Sequence, residues 1–110
     1  MFGNMGKIMK IAAEMKTRLP EMKQRLAESE YSAQAGGSAV AATVNGKLQV
    51  IELTIDPAVL SDESLDSEML ADLIKAAIAS AQQQAIEAAE AAMKELTGGM
   101  DLPGLDALMG

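Results

Sequence analysis

The 110-residue sequence predicts an α+β domain, with a helix at each end and a small antiparallel sheet between them. Three observations carry this. Apolar residues recur every three or four positions over 5–28, at alternate positions between 30 and 55, and at helical spacing again between Asp66 and Leu96. Asn45-Gly46 sits between two of the alternating runs, where a hairpin turn needs it. Ten alanines between positions 71 and 92 favour a long continuous helix.

In the first helix, Met5, Ile8, Ala12, Met15, Leu19, Met22 and Leu26 fall on one face as a seam. Glu14–Arg18 and Glu21–Arg25 are i,i+4 pairs in the favourable order, each expected to add a few tenths of a kcal/mol. Pro20 opposes the pattern. An interior proline loses the hydrogen bond to the Lys16 carbonyl and costs about 3 kcal/mol. The helix is expected to kink there, or to break with Pro20 opening a second short helix. On the heptad frame of the seam, Lys16 and Lys23 occupy e positions, Arg18 and Arg25 occupy g, and Glu14, Glu21 and Glu28 occupy c. Basic flanks would repel across a parallel self-paired zipper, so the seam is expected to pack on the sheet or the long helix.

Val44-Asn45-Gly46-Lys47 is the strongest local signal, and Asn-Gly suits the positive φ angles of a type I′ turn. Pairing outward from it sets Val40 opposite Ile51 and Ala42 opposite Gln49. One face then holds Val40, Ala42, Val44, Ile51, Leu53 and Ile55, while Ala41, Thr43, Leu48 and Val50 keep the other face apolar too. Such a sheet needs two covers, and a second subunit could supply one. Residues 30–35 are a candidate third strand ending at Gly36-Gly37. Asp56-Pro57 closes the hairpin's second strand. Residues 58–65 form a connector with room for one helical turn. Asp66 or Ser67 caps the long helix, whose buried side is Leu70, Leu73, Ile74, Ala77, Ile78, Ala81, Ala85, Ala88, Ala92 and Met93. Thr97-Gly98-Gly99 ends it. Residues 1–97 are read as one domain and 98–110 as a short Gly/Pro-punctuated tail, mobile unless Leu102, Leu105 and Leu108 find a groove.

Composition narrows the function. Phe2 and Tyr31 are the only aromatics, so the core must come from Ala, Leu, Ile, Val and Met, and subunit pairing is a common remedy for a core this thin. Met15 and Met22 lie on the seam, which assigns them to packing rather than to an adaptable binding groove. Without Cys or His, thiol chemistry, thiolate metal sites and the commonest general base are excluded. The acids Asp62, Glu63, Asp66, Glu68 and Asp72 lack the alternating spacing of a calcium loop and suit a helix N-terminus instead. The N-terminal stretch lacks the apolar run of a signal peptide, and no window approaches a membrane span, so a cytoplasmic location is expected. No catalytic constellation, cofactor site or small-molecule substrate site is evident, and an enzyme is not expected. The formal charge of −7 is unevenly spread: residues 1–25 hold six of nine cations, and residues 51–110 hold twelve acids against Lys75 and Lys94. The basic end is the candidate for an anionic partner.

Four stretches together resemble the YbaB/EbfC family. They are Met1-Phe2-Gly3-Asn4-Met5-Gly6-Lys7 leading into a Met/Lys-rich helix; Gly36-Gly37 followed by Val44-Asn45-Gly46-Lys47; Ile55-Asp56-Pro57 with Leu70-Ala71-Asp72-Leu73-Ile74; and Met93-Lys94-Glu95-Leu96-Thr97-Gly98-Gly99-Met100 running into Leu102-Pro103-Gly104. The resemblance implies an α-β-β-β-α fold and a tight homodimer with protruding helices. It further implies non-specific binding of duplex DNA and a nucleoid-associated role in DNA organisation or gene expression. The sequence departs from the family pattern at Pro20 and in the long helix. That helix often carries several basic residues in relatives, but reads Gln82-Gln83-Gln84 with Glu87, Glu90 and Glu95 here. The expected DNA contacts are therefore Lys7, Lys10, Lys16, Arg18, Lys23 and Arg25. The competing expectation is a dimeric protein-interaction scaffold that does not bind DNA significantly at physiological salt.

Overall fold

The computed structural model describes residues 2–96 and Gly98, without the side chains of residues 2–4. The rest of the tail, expected to be mobile unless Leu102, Leu105 and Leu108 find a groove, lies outside the described residues. The element order is α1 (Phe2–Glu28), β1 (Glu30–Ala35), β2 (Val40–Asn45), β3 (Val50–Ile55), α2 (Pro57–Leu60) and α3 (Ser67–Leu96). The strands form one antiparallel sheet in the order β1-β2-β3. The fold is α-β-β-β-α, and residues 30–35 are indeed its third strand.

The hairpin register differs from the one the Asn-Gly pair predicts. Val40 faces Ile55 and Ala42 faces Leu53, and a bulge beside Thr43 brings Val44 opposite Val50. The turn is a three-residue loop rather than a two-residue type I′ turn. Asn45 N–H donates to the Gln49 carbonyl at 3.0 Å, and Leu48, not Gly46, takes the positive φ of 66°. Asn45 selects this turn through its side chain: Oδ1 accepts the N–H groups of Lys47 at 2.9 Å and Gln49 at 3.0 Å. Those bonds to nearby backbone are the alternative that Asx residues offer to a plain ladder. Gly46 is needed for a different reason. A Cβ there would overlap the Leu26 carbonyl near the end of α1 and approach the Ala27 nitrogen to 2.9 Å, so the turn packs backbone to backbone on the helix.

Asp66 caps α3, its carboxylate accepting Met69 N–H at 2.8 Å. Every one of the ten residues expected on its inner side is buried or half-buried. Ala77, Ala81 and Ala85 pack directly on Val40, Ala42 and Val44, and their small size lets the helix sit close to the sheet. α3 covers β1 and β2 but not β3. Val50, Ile51 and Leu53 therefore stay 45%, 47% and 41% exposed.

α1 runs through Pro20 as one helix, so the broken alternative does not hold. Its seam packs only in part. Met15 and Met22 are buried against Met93, with Leu19 and Leu26 half-buried beside them, whereas Met5, Ile8 and Ala12 are exposed. The seam thus meets the end of α3, and the front half of α1 projects. The Cα radius of gyration is 19.3 Å, against the roughly 13 Å of a compact 110-residue domain, with extents of 69 × 22 × 19 Å.

Candidate nucleic-acid interface

Lys7, Lys10, Lys16, Arg18, Lys23 and Arg25 are all exposed on α1. The expected Glu14–Arg18 and Glu21–Arg25 pairs do not form. Among the described residues, Lys75 and Asp72 make an exposed contact at 4.0 Å, and no cation of α1 comes that close to a carboxylate. An exposed i,i+4 pair gains only a few tenths of a kcal/mol, too little to hold two long side chains in one geometry. The charges of α1 are left to solvent or to a partner.

The six cations do not converge on one face. At 3.6 residues per turn, Lys16 and Lys23 fall on one flank of the Met15–Met22 seam. Lys7, Arg18 and Arg25 fall on the opposite flank, with Lys10 farther round the back. Glu14, Glu21 and Glu28 accompany the arginine flank, so the lysine flank is the less opposed of the two. A rod-like polyanion lying along one flank meets two or three charges per subunit, fewer than the count of six suggests.

Lys47 belongs beside the lysine flank, although the sequence does not place it among the candidates. Packing of Gly46 on Leu26 sets the hairpin turn against the last turns of α1. An open cleft of about 450 Å³ lies between them, lined by Lys23, Gln24, Ala27 and Glu28 from the helix and by Asn45, Lys47 and Gln49 from the turn. The Asn-Gly turn signal in the sequence locates Lys47 on a loop tip but carries no hint of the helix it packs on.

α3 presents a different surface. Gln82 Nε2 donates to the Leu48 carbonyl at 3.1 Å and Gln84 Nε2 to the Ser32 carbonyl at 2.9 Å, so two of the three glutamines tie the helix to the sheet. Glu87, Glu90 and Glu95 are exposed. At the connector, Ser64 donates its hydroxyl and its N–H to Asp62, which holds that carboxyl below the usual range. No group of three acids among the described residues is arranged to hold a metal ion. No described helix is long and apolar enough to cross a membrane.

A sheet covered on one face by an alanine-rich helix, with a separate cationic helix projecting from it, defines the class: an α-β-β-β-α subunit with a basic arm. Residues 1–100 match the YbaB/EbfC DNA-binding family, and the chain belongs to that family. It is 40% identical to a nucleoid-associated protein of Clostridium kluyveri, over 94% of this chain and 89% of that protein. A nucleoid-associated protein of Clostridium acetobutylicum is likewise 40% identical, over 94% of this chain and 90% of its own length. The fold is shared with the crystal structure of an uncharacterized Helicobacter pylori protein, with a TM-score of 0.58 at 19% identity, covering 72% of this chain and 89% of that one.

Proposed function

We propose that this protein binds duplex DNA without sequence preference, as a homodimer in the cytoplasmic nucleoid, and serves nucleoid organisation or gene regulation. One observation carries the reading: α1 projects from the sheet and bears six exposed cations, none within ion-pair distance of a described carboxylate. Lysine and arginine tips on a solvent-facing helix neutralise phosphates and carry no base readout by themselves. The net charge of −7 repels DNA elsewhere and confines contact to that arm. Membership of a DNA-binding family and the names of the Clostridium relatives support the same reading. The role is one of binding rather than catalysis.

The homodimer rests on β3. Its outer edge pairs with no other described strand, and Val50, Ile51 and Leu53 form an apolar strip that α3 does not reach. An uncovered edge of this kind is a template for a second chain, and a second copy brings a second arm. The exposed acids of α3 favour the competing reading, a scaffold dimer that recruits other proteins. Anisotropy of a labelled random duplex between about 50 and 200 mM salt, with mass measured in solution, separates the two. Three contacts per subunit in a dimer give log K against log[salt] a slope of about −5. A monomer, or a dimer that ignores duplex at the lowest salt, overturns the proposal.

A further inference from the structure

We infer that the cleft between the end of α1 and the β2–β3 turn is a phosphate-binding site, in which Lys47 and Lys23 together grip a backbone phosphodiester of the bound duplex. The inference rests on the DNA-binding reading above and adds to it a residue from the sheet half of the molecule. Lys47 is the one cation between Leu26 and Ile74, so an interface built on α1 alone would end at Arg25.

Three observations support it. First, the two lysines come from different elements yet line the same open cleft, and neither lies within ion-pair distance of a described carboxylate. Glu28 also lines the cleft, and its Oε1 accepts a hydrogen bond from Gln24 Nε2 at 3.3 Å. Second, the backbone carrying Lys47 is held. Asn45 Oδ1 accepts the Lys47 and Gln49 N–H groups, Asn45 Nδ2 donates to Gln49 Oε1 at 2.8 Å, and Gly46 packs on the Leu26 carbonyl. A charge presented from a fixed backbone loses less conformational freedom on binding than one on a loose loop. Third, Lys16 and Lys23 share the flank of α1 free of the i,i+7 row of Glu14, Glu21 and Glu28, and Lys47 adds a charge from the turn beside Lys23, at the last turns of the helix. A duplex following the row keeps meeting positive charge as it passes from helix to turn.

The test is Lys47→Ala in the full-length dimer, with Lys75→Ala as the control that removes equal charge from α3. Affinity for random duplex is measured across the same salt series. Each lysine removed from a phosphate contact makes the slope shallower by about 1. Lys47→Ala is therefore expected to flatten it by about 2 per dimer, while Lys75→Ala leaves it unchanged. An unchanged slope for Lys47→Ala, with wild-type binding intact, removes the cleft from the interface and leaves the DNA-binding reading standing. Equal flattening in both variants reduces the effect to net charge and overturns the site. Absence of wild-type binding overturns both readings. Binding of inorganic phosphate at Lys47 together with an unchanged duplex slope for Lys47→Ala would assign the cleft to a free anion rather than a phosphodiester, and would overturn the site as inferred.

Discussion

α1 and α3 are of similar length, 27 and 30 residues, but they meet the rest of the molecule in different ways. α3 lies across β1 and β2 with its inner side filled by alanines, and two of its glutamines bond strand and turn carbonyls. α1 touches α3 through a short run of methionines and leucines, and its front half stands clear. The charges follow the same division. Six exposed cations lie on the projecting helix, while the helix that builds the core carries exposed glutamates and a lysine paired with Asp72. A helix needed for packing has few positions left for a partner; a helix held only along its second half can offer both flanks of its first.

Three substitutions sharpen or break this contrast. Met22→Ala, at a side chain 4% exposed, is expected to cost about 2–5 kcal/mol in urea unfolding. Ala81→Leu, on the other helix, is expected to have a smaller effect. It forces bulk between α3 and Val44, where both residues are fully buried, and should cost about 1–3 kcal/mol by the same measurement. A neutral result would show slack between helix and sheet, contrary to the close approach that the alanines permit. Met5→Ala, on the same seam as Met22 but 58% exposed, should cost under about 0.5 kcal/mol. Equal costs for the two methionines would mean that the seam is covered along its whole length and that α1 does not project.

Much of this was legible in the residues because periodicity reports on burial. The inner side of α3 can be written from helical spacing alone, and the strand alternation correctly sets Val40, Ala42 and Val44 on the covered face. The hairpin register is less legible for a physical reason. Moving the partner of Val40 from Ile51 to Ile55 is an even-numbered slip, which keeps Leu53 and Ile55 on the face of Val40 and Ala42, so alternation over that stretch cannot distinguish the two. Only the bulge beside Thr43 changes the face of Val50. The choice falls to Asn45, whose side chain closes a three-residue loop. The exposure of the six cations is likewise readable, and the division of Lys16 and Lys23 from Arg18 and Arg25 follows from the e and g positions. Lys47 is not readable at all. It joins Lys23 only through the packing of Gly46 on Leu26, a tertiary contact with no signature in local sequence.

α1 is the proposed DNA-binding arm. The most direct test reverses four of its charges at once, Lys7, Lys10, Lys16 and Lys23 each to Glu, and reads the mobility of an arbitrary duplex. Loss of the shifted species is expected, with the dimer mass and helical content retained. Binding that persists unchanged in such a dimer would contradict that role of α1.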